Sequence, residues 1–315
     1  MPKEMLDPRT AYGDTLVKLG KKHPELVVLD ADLSKSTKTI MFAKQFPERF
    51  FEMGIAEANM ISTAAGLASC GKIPFASTFA VFATGRVYDQ IRMDVAYSRS
   101  NVKIFATHGG ITVGKDGASH QMLEDLALMR VLPNMTVFAP SDAALTRRTV
   151  ELMAEIKGPM YARIGRAVAP VIYKPDELNE LKIGKGILLK EGDDATIIAC
   201  GTMVDPALAA REMLQKEGIS VRVVDMYTIK PLDKKLVVTC AKETSALITV
   251  EEHSVIGGLG GAVAETLAEE GVCTKFQRMG IHDIFCESGE PSDLLEKYKL
   301  NEKHIANTVR SLCRR

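Results

Sequence analysis

The segment THGGITVGKDGASHQ (107–121) carries the densest chemistry in the chain. It holds His108, Asp116 and His120 in one loop broken by Gly109, Gly110, Gly114 and Gly117. Glycines permit positive φ and let a ligand approach the backbone closely. Two histidines and an aspartate there supply titratable hydrogen-bond partners for a polyhydroxylated or carbonyl substrate. The same residues could ligate a metal or sit solvated on a flexible loop, but their spacing matches no specific metal motif. Glu57, in FFEMGIAEANM (50–60), opens an expected helix whose next turns are small and apolar. An acid in a first turn can simply answer the helix dipole. Ile55, Met60 and Ile61 nevertheless point to partial burial, which perturbs a carboxylate and marks it for chemistry. Phe79 and Phe82, three apart in STFAVFATG (77–85), either pack in a core or wall a planar ring. Arg163 and Arg166 in YARIGRA (161–167) follow a strand, where they would serve as surface ion pairs or as a phosphate clamp. IGGLGGAVAE (256–265) lacks full G-x-G-x-x-G spacing and reads as a tight strand-to-helix turn.

Short β-branched runs alternate with stretches of helical period and set where these residues lie. Strands are expected over 26–31, 72–78, 102–108, 135–140, 160–165, 195–201, 220–226 and 246–252. Helices are expected over 11–23, 56–71, 84–100, 142–156, 205–218 and 260–271. Near-continuous apolar strands separated by helices indicate an α/β fold with parallel sheets covered on both faces. The stretch VAPVIYKPDELNELKIG (168–184), with two prolines and several charges, separates two strand–helix series. It divides the chain into two parallel-sheet α/β domains, 1–180 and 185–315. Ligands of such sheets gather beyond the carboxyl ends of the strands. Asp32, Ser36, Phe79, Phe82, His108 and Arg166 all follow strands of the first domain. The strand ends of the second, GTMVD, MYTIKP and EEHSVIGG, are less loaded with convergent acid–base groups.

Composition narrows the function classes. The 315 residues balance 40 Lys+Arg against 40 Asp+Glu, so no long-range field draws the chain to nucleic acid or an anionic membrane. The chain has no Trp and only 6% aromatics, too few for a base-stacking platform. No run approaches the roughly 18 apolar residues of a membrane span, and MPKEMLDPRT shows no secretory signal. Six cysteines without a CxxC pair read as buried thiols of a cytoplasmic protein.

Taken in order, DADLSKS (30–36), FEMGIAEANM (51–60), STFAVF (77–82), THGGITVGKDGASHQ (107–121) and APSD (139–142) resemble the C-terminal half of transketolases, the pyrimidine-binding domain plus the third domain. The resemblance covers essentially the whole chain. It implies a thiamine-diphosphate-dependent enzyme moving a two-carbon ketol unit between sugar phosphates. By that resemblance Glu57 matches the glutamate that hydrogen-bonds the cofactor's aminopyrimidine ring and so triggers proton loss from the thiazolium carbon. Phe79 and Phe82 match the aromatic pocket around the pyrimidine, with Gly85 where many members have a tyrosine. His108 looks like the contact to the donor's C1 hydroxyl, and Asp116 like the reader of the acceptor's C2 hydroxyl. His120 looks like the proton carrier at the reacting oxygen. Ser36, Arg166 and Arg163 resemble sugar-phosphate contacts, and Asp32 an acid near the thiazolium. His108 stands where the related 1-deoxy-D-xylulose-5-phosphate synthases typically carry an acid, whereas YDQIRMDVA (88–96) is closer to those synthases.

The family holds the cofactor diphosphate and Mg²⁺ through a GDG…N motif on a separate N-terminal domain. EGDDA (191–195) is a charged turn and not that motif. The resemblance therefore implies a split transketolase. Mg²⁺ would be held mainly by an N-terminal partner subunit, and this chain would pair with itself within an α2β2 heterotetramer. The alternatives are the C-terminal half of a deoxyxylulose-phosphate synthase and a non-catalytic partner subunit.

Overall fold

The computed structural model describes residues 4–313. The first half supplies β1 (Leu26–Asp30), β2 (Phe50–Glu52), β3 (Ile73–Phe79), β4 (Lys103–Thr107), β5 (Thr136–Phe138) and β6 (Met160–Arg163). The second supplies β7 (Ile187–Lys190), β8 (Ala195–Ala199), β9 (Val221–Asp225), β10 (Thr228–Lys230), β11 (Ala246–Ser254) and β12 (Lys275–Ile281). A seven-stranded sheet runs β10-β5-β6-β4-β3-β1-β2, and a five-stranded sheet runs β12-β11-β8-β9-β7. All pairs in both are parallel except β10 with β5 and β7 with β9.

The apolar runs explain the layering. Successive side chains of a strand point to opposite faces, so a continuous apolar run buries both. Val28, Phe75, Phe105 and Phe138 pack on one face with Tyr12, Leu16 and Leu19 of the helix Pro8–Lys22 and Leu145 and Val150 of the helix Ala143–Glu155. Val27, Leu29, Ala76 and Ile104 pack on the other with Met60, Ile61 and Ala64 of the helix Glu57–Ser69.

Three features depart from the sequence expectation. Strand β10 leaves the second sheet's β9 after two residues and enters the first sheet, so the two halves share an edge. The expected helix over 84–100 is instead Ala80–Gly85, a turn at Tyr88–Gln90 and a π-helical stretch over Ile91–Tyr97. Strands β2, β7, β10 and β12 were not legible: β2 and β10 have three residues each, and β7 and the first part of β12 alternate half-buried and exposed positions. Among the described residues no helix is long and apolar enough to cross a membrane.

Candidate functional site

Strand β1 has β2 on one side and β3 on the other, so the chain reverses direction across the sheet there, and the carboxyl ends at such a reversal are where ligands of parallel sheets bind. Phe79 ends β3, and His108 directly follows β4.

Glu57 lies in the first turn of Glu57–Ser69 and is 5% exposed. Its Oε1 accepts a hydrogen bond from Arg86 Nη1 at 2.8 Å. The half-exposed Arg86 guanidinium also lies 4.1 Å over the Phe82 ring. Phe82 and Phe79 are stacked with centroids 6.0 Å apart, and Phe79 stacks on His108 at 3.7 Å. His120 sets its ring edge-on to Phe82 at 5.5 Å and to Phe79 at 6.4 Å. The carboxylate, two aromatic rings and two imidazoles therefore form one continuous wall.

His108 adopts φ +61, and its Nδ1 shares a 2.8 Å hydrogen bond with the Thr107 hydroxyl. Burial, aided by the charges of Arg9, Arg166 and His120, pushes its pKa down to about 3. The imidazole is neutral at working pH, able to donate or accept a hydrogen bond without carrying charge.

A second cluster adjoins this wall. Arg166 Nη1 donates to the Val113 carbonyl at 2.7 Å and pairs with Asp116 at 3.3 Å. Arg9 reaches the Ser36 carbonyl at 3.4 Å. Arg9, Arg166 and Lys115 line one cavity of about 330 Å³ together with Thr112, Val113 and Gly114. Glu290 also lines it and pairs with Lys115 at 2.6 Å, and the remaining surplus of positive charge from Arg9 and Arg166 favours a small anion. Arg9 was invisible to sequence reasoning because nothing local links DPRT to residues far along the chain.

Asp32 and Arg163 differ from the others in their surroundings. Asp32 is exposed, with its backbone N–H on Glu52 Oε1 at 2.7 Å. The buried acid of that turn is Asp30, which accepts from the Leu33 N–H and the Thr37 and Thr39 hydroxyls at 2.7, 2.7 and 2.8 Å. Burial raises the Asp30 pKa to about 6. Arg163, expected as an anion contact, is 7% exposed and faces inward. Its guanidinium donates to Asp125 Oδ1 and to the Glu252 carbonyl, both at 2.7 Å. A Cβ added at Gly109 would sit 2.9 Å from Arg163 Nε, so the arginine lies beneath the glycine loop and not in the cavity.

The structure thus brings Glu57, Phe79, Phe82, His108 and His120 together, with Asp116, Arg166 and the backbone of Ser36 beside them. Among the described residues no group of three or more His, Cys, Asp or Glu is arranged to hold a metal ion, so His108, Asp116 and His120 do not make a metal triad. A planar ring with hydrogen-bond donors on one edge fits the wall. Arg86 is itself a planar donor, and it already bonds Glu57 while lying on Phe82.

Two coupled α/β domains with an acid, stacked aromatics and histidines at the carboxyl edge of the first sheet define a class of enzyme that handles a planar cofactor and a polar substrate. The sequence signature described as transketolase, pyrimidine binding domain, matches residues 4–170, and that of the transketolase C-terminal domain matches residues 184–305. The chain belongs to the transketolase family and is a transketolase-type transferase corresponding to its C-terminal section. A Methanocaldococcus jannaschii protein provisionally named a transketolase C-terminal section is 54% identical over 96% of this chain and 94% of its own length. The 6-deoxy-6-sulfo-D-fructose transketolase subunit SqwH of a Clostridium strain is 41% identical over 98% of this chain and 94% of its own. Among solved structures, a split gene transketolase described as an inactive beta4 tetramer superposes with a TM-score of 0.90 at 55% identity, covering 97% of this chain and 98% of that one.

Proposed function

We propose that this chain is one subunit of a split transketolase that transfers a two-carbon ketol unit between sugar phosphates with thiamine diphosphate. The observation that carries the reading is the buried Glu57 carboxylate joined through Arg86 to the Phe82–Phe79–His108 wall. When bound, thiamine diphosphate supplies a carbon nucleophile and a ring that takes up the electron pair released as a C–C bond breaks.

Every other task falls to side chains. Glu57 hydrogen-bonds the edge of the aminopyrimidine, and Phe82 and Phe79 cover its face. Neutral His108 hydrogen-bonds the donor's hydroxyl, and His120 carries a proton to and from the reacting oxygen. Asp116, oriented by Arg166, reads an acceptor hydroxyl. Arg9 and Arg166, with the Ser36 turn, hold the substrate phosphate; Asp32, on the neighbouring turn, contributes negative charge near the thiazolium. Arg163 supports the loop from beneath.

The diphosphate and Mg²⁺ fall to a partner subunit resembling the N-terminal half of transketolases, in an α2β2 assembly. Support comes from relatives of matching length that are themselves described as a subunit or as split. Free cysteines suit a cytoplasmic location. The test is to mix this chain with such a partner, thiamine diphosphate, Mg²⁺, a ketose phosphate and an aldose phosphate. Ketol transfer is expected only from the complete mixture. Release of CO₂ from pyruvate and glyceraldehyde 3-phosphate in its place would reassign the chain to deoxyxylulose-phosphate synthesis.

A further inference from the structure

The second domain contributes no side chain to the wall of rings, yet of its buried acids Glu251 and Glu252, near the end of β11, Glu252 lies against the histidine loop. Glu252 is 2% exposed. Its Oε1 accepts the backbone N–H of Thr112 at 2.5 Å, and its Oε2 accepts the Thr202 hydroxyl at 2.5 Å. Thr112 lies in the loop between His108 and His120, nearer His108, and also lines the cavity of Arg9 and Arg166. Gly110 takes φ +85, and a Cβ added there would overlap the Glu252 carboxylate, so the loop is shaped to lie on this acid. Arg163 fixes the Glu252 backbone from the other side through the carbonyl bond. Glu251 is anchored separately, accepting the N–H groups of Leu259 and Gly260 at 2.7 Å each.

We propose that Glu252 is a positioning residue: it reaches from the second domain to hold the loop of His108, Asp116 and His120 at the geometry that substrate binding and proton transfer require. Two features distinguish it from ordinary packing. The carboxylate bonds the backbone of a loop whose glycines leave it free to adopt other conformations, so an outside anchor is what fixes its course. Its second oxygen is tied to Thr202, so it cannot follow the loop if the loop drifts. The assignment rests on the ketol-transfer reading for its kinetic consequence but not for its structural one. Glu57 lies on a different element, and its action on the cofactor does not pass through Glu252.

The experiment uses the assembled complex with its partner, thiamine diphosphate and Mg²⁺. Variants Glu252→Ala, Glu252→Gln, Thr202→Val and Gly110→Ala are compared by three readouts: kcat/KM for ketol transfer, exchange of the bound cofactor's ring proton with solvent, and amide hydrogen exchange of residues 108–120. Glu252→Ala and Gly110→Ala should lower kcat/KM by about a hundredfold, the effect of displacing reacting groups by about 1 Å. Ring-proton exchange should stay within about twofold of the unsubstituted complex, while loop amides exchange at least about tenfold faster. Thr202→Val should lose about tenfold. Glu252→Gln retains an acceptor for Thr112 and a polar partner for Thr202, and should recover most of the rate. Should Glu252→Ala fail to assemble, Thr202→Val and Gly110→Ala decide. The proposal is overturned if kcat/KM is unchanged, or if ring-proton exchange and ketol transfer fall together. An unsubstituted complex without ketol transfer would overturn the proposed function, and amide exchange would still decide the positioning.

Discussion

Replacing Arg163 by alanine separates a buried structural cation from a substrate contact. Asp125 is fully buried, and its two oxygens are held by Arg163 at 2.7 Å and by the Tyr161 hydroxyl at 2.6 Å. His253 Nε2 lies 3.9 Å away and accepts the Ala127 N–H at 3.4 Å, so it is no strong donor to Asp125. Removing the guanidinium leaves a buried carboxylate with one donor and strips the Glu252 carbonyl of its partner. Breaking such a pair costs about 3–5 kcal/mol. For a folding unit of this size each kcal/mol moves Tm by roughly 2–4 °C, so Arg163→Ala should melt about 10 °C lower. The assay is thermal unfolding of the complex followed by circular dichroism, with Arg166→Ala as the comparison. Arg166 is 44% exposed at its side chain and should leave Tm nearly unchanged while raising KM for the sugar phosphate. An Arg163→Ala complex stable to within about 1 kcal/mol of the unsubstituted one would refute the assignment to the interior.

Glu57→Ala should leave assembly intact and lower kcat by about two to four orders of magnitude, the range for losing a positioned acid–base group; steady-state kinetics checks this. Arg9→Ala should raise KM for phosphorylated substrates by about tenfold, and the difference should shrink as salt screens the half-buried charge. Asp225→Asn tests a stitch between domains: the Ser141 and Tyr173 hydroxyls donate to Asp225 Oδ2 at 2.5 and 2.8 Å. Burial raises the Asp225 pKa to about 7, so its stabilising protonated form is fully present below the ordinary aspartate value and is lost as pH rises through about 7. The substitution should remove that share of the pH dependence between about pH 4 and pH 7, roughly 4 kcal/mol, as read from urea midpoints across the window.

Much of the fold was legible because each parallel strand buried on both faces writes an unbroken apolar run. The eight expected strands fall on β1, β3, β4, β5, β6, β8, β9 and β11. What stayed hidden depends on contacts between distant segments. Thr112 meets Glu252 across 140 residues and Arg163 meets Asp125 across 38, separations that leave no local pattern. EEHSVIGG therefore read as a lightly loaded strand end, although its Glu252 accepts a backbone hydrogen bond from the histidine loop. At the candidate site, Glu57 opens a helix, Phe79 ends a strand, Phe82 and His108 follow strands and His120 shares the glycine loop, so local pattern alone singles them out. Arg163 misled because sequence alone does not tell which side of the last strand residue faces the cavity. Arg9 and Asp30 gave no signal, since a helix-start arginine and a strand-end aspartate are common surface features.

A crystal structure of the assembled complex with thiamine diphosphate bound tests the central claim most directly. The account predicts the Glu57 carboxylate within about 2.6–3.2 Å of a nitrogen on the aminopyrimidine edge, Phe82 against the ring face, and the diphosphate contacted by the partner subunit. A Glu57 turned away from the ring, or a diphosphate anchored wholly within this chain, would contradict it.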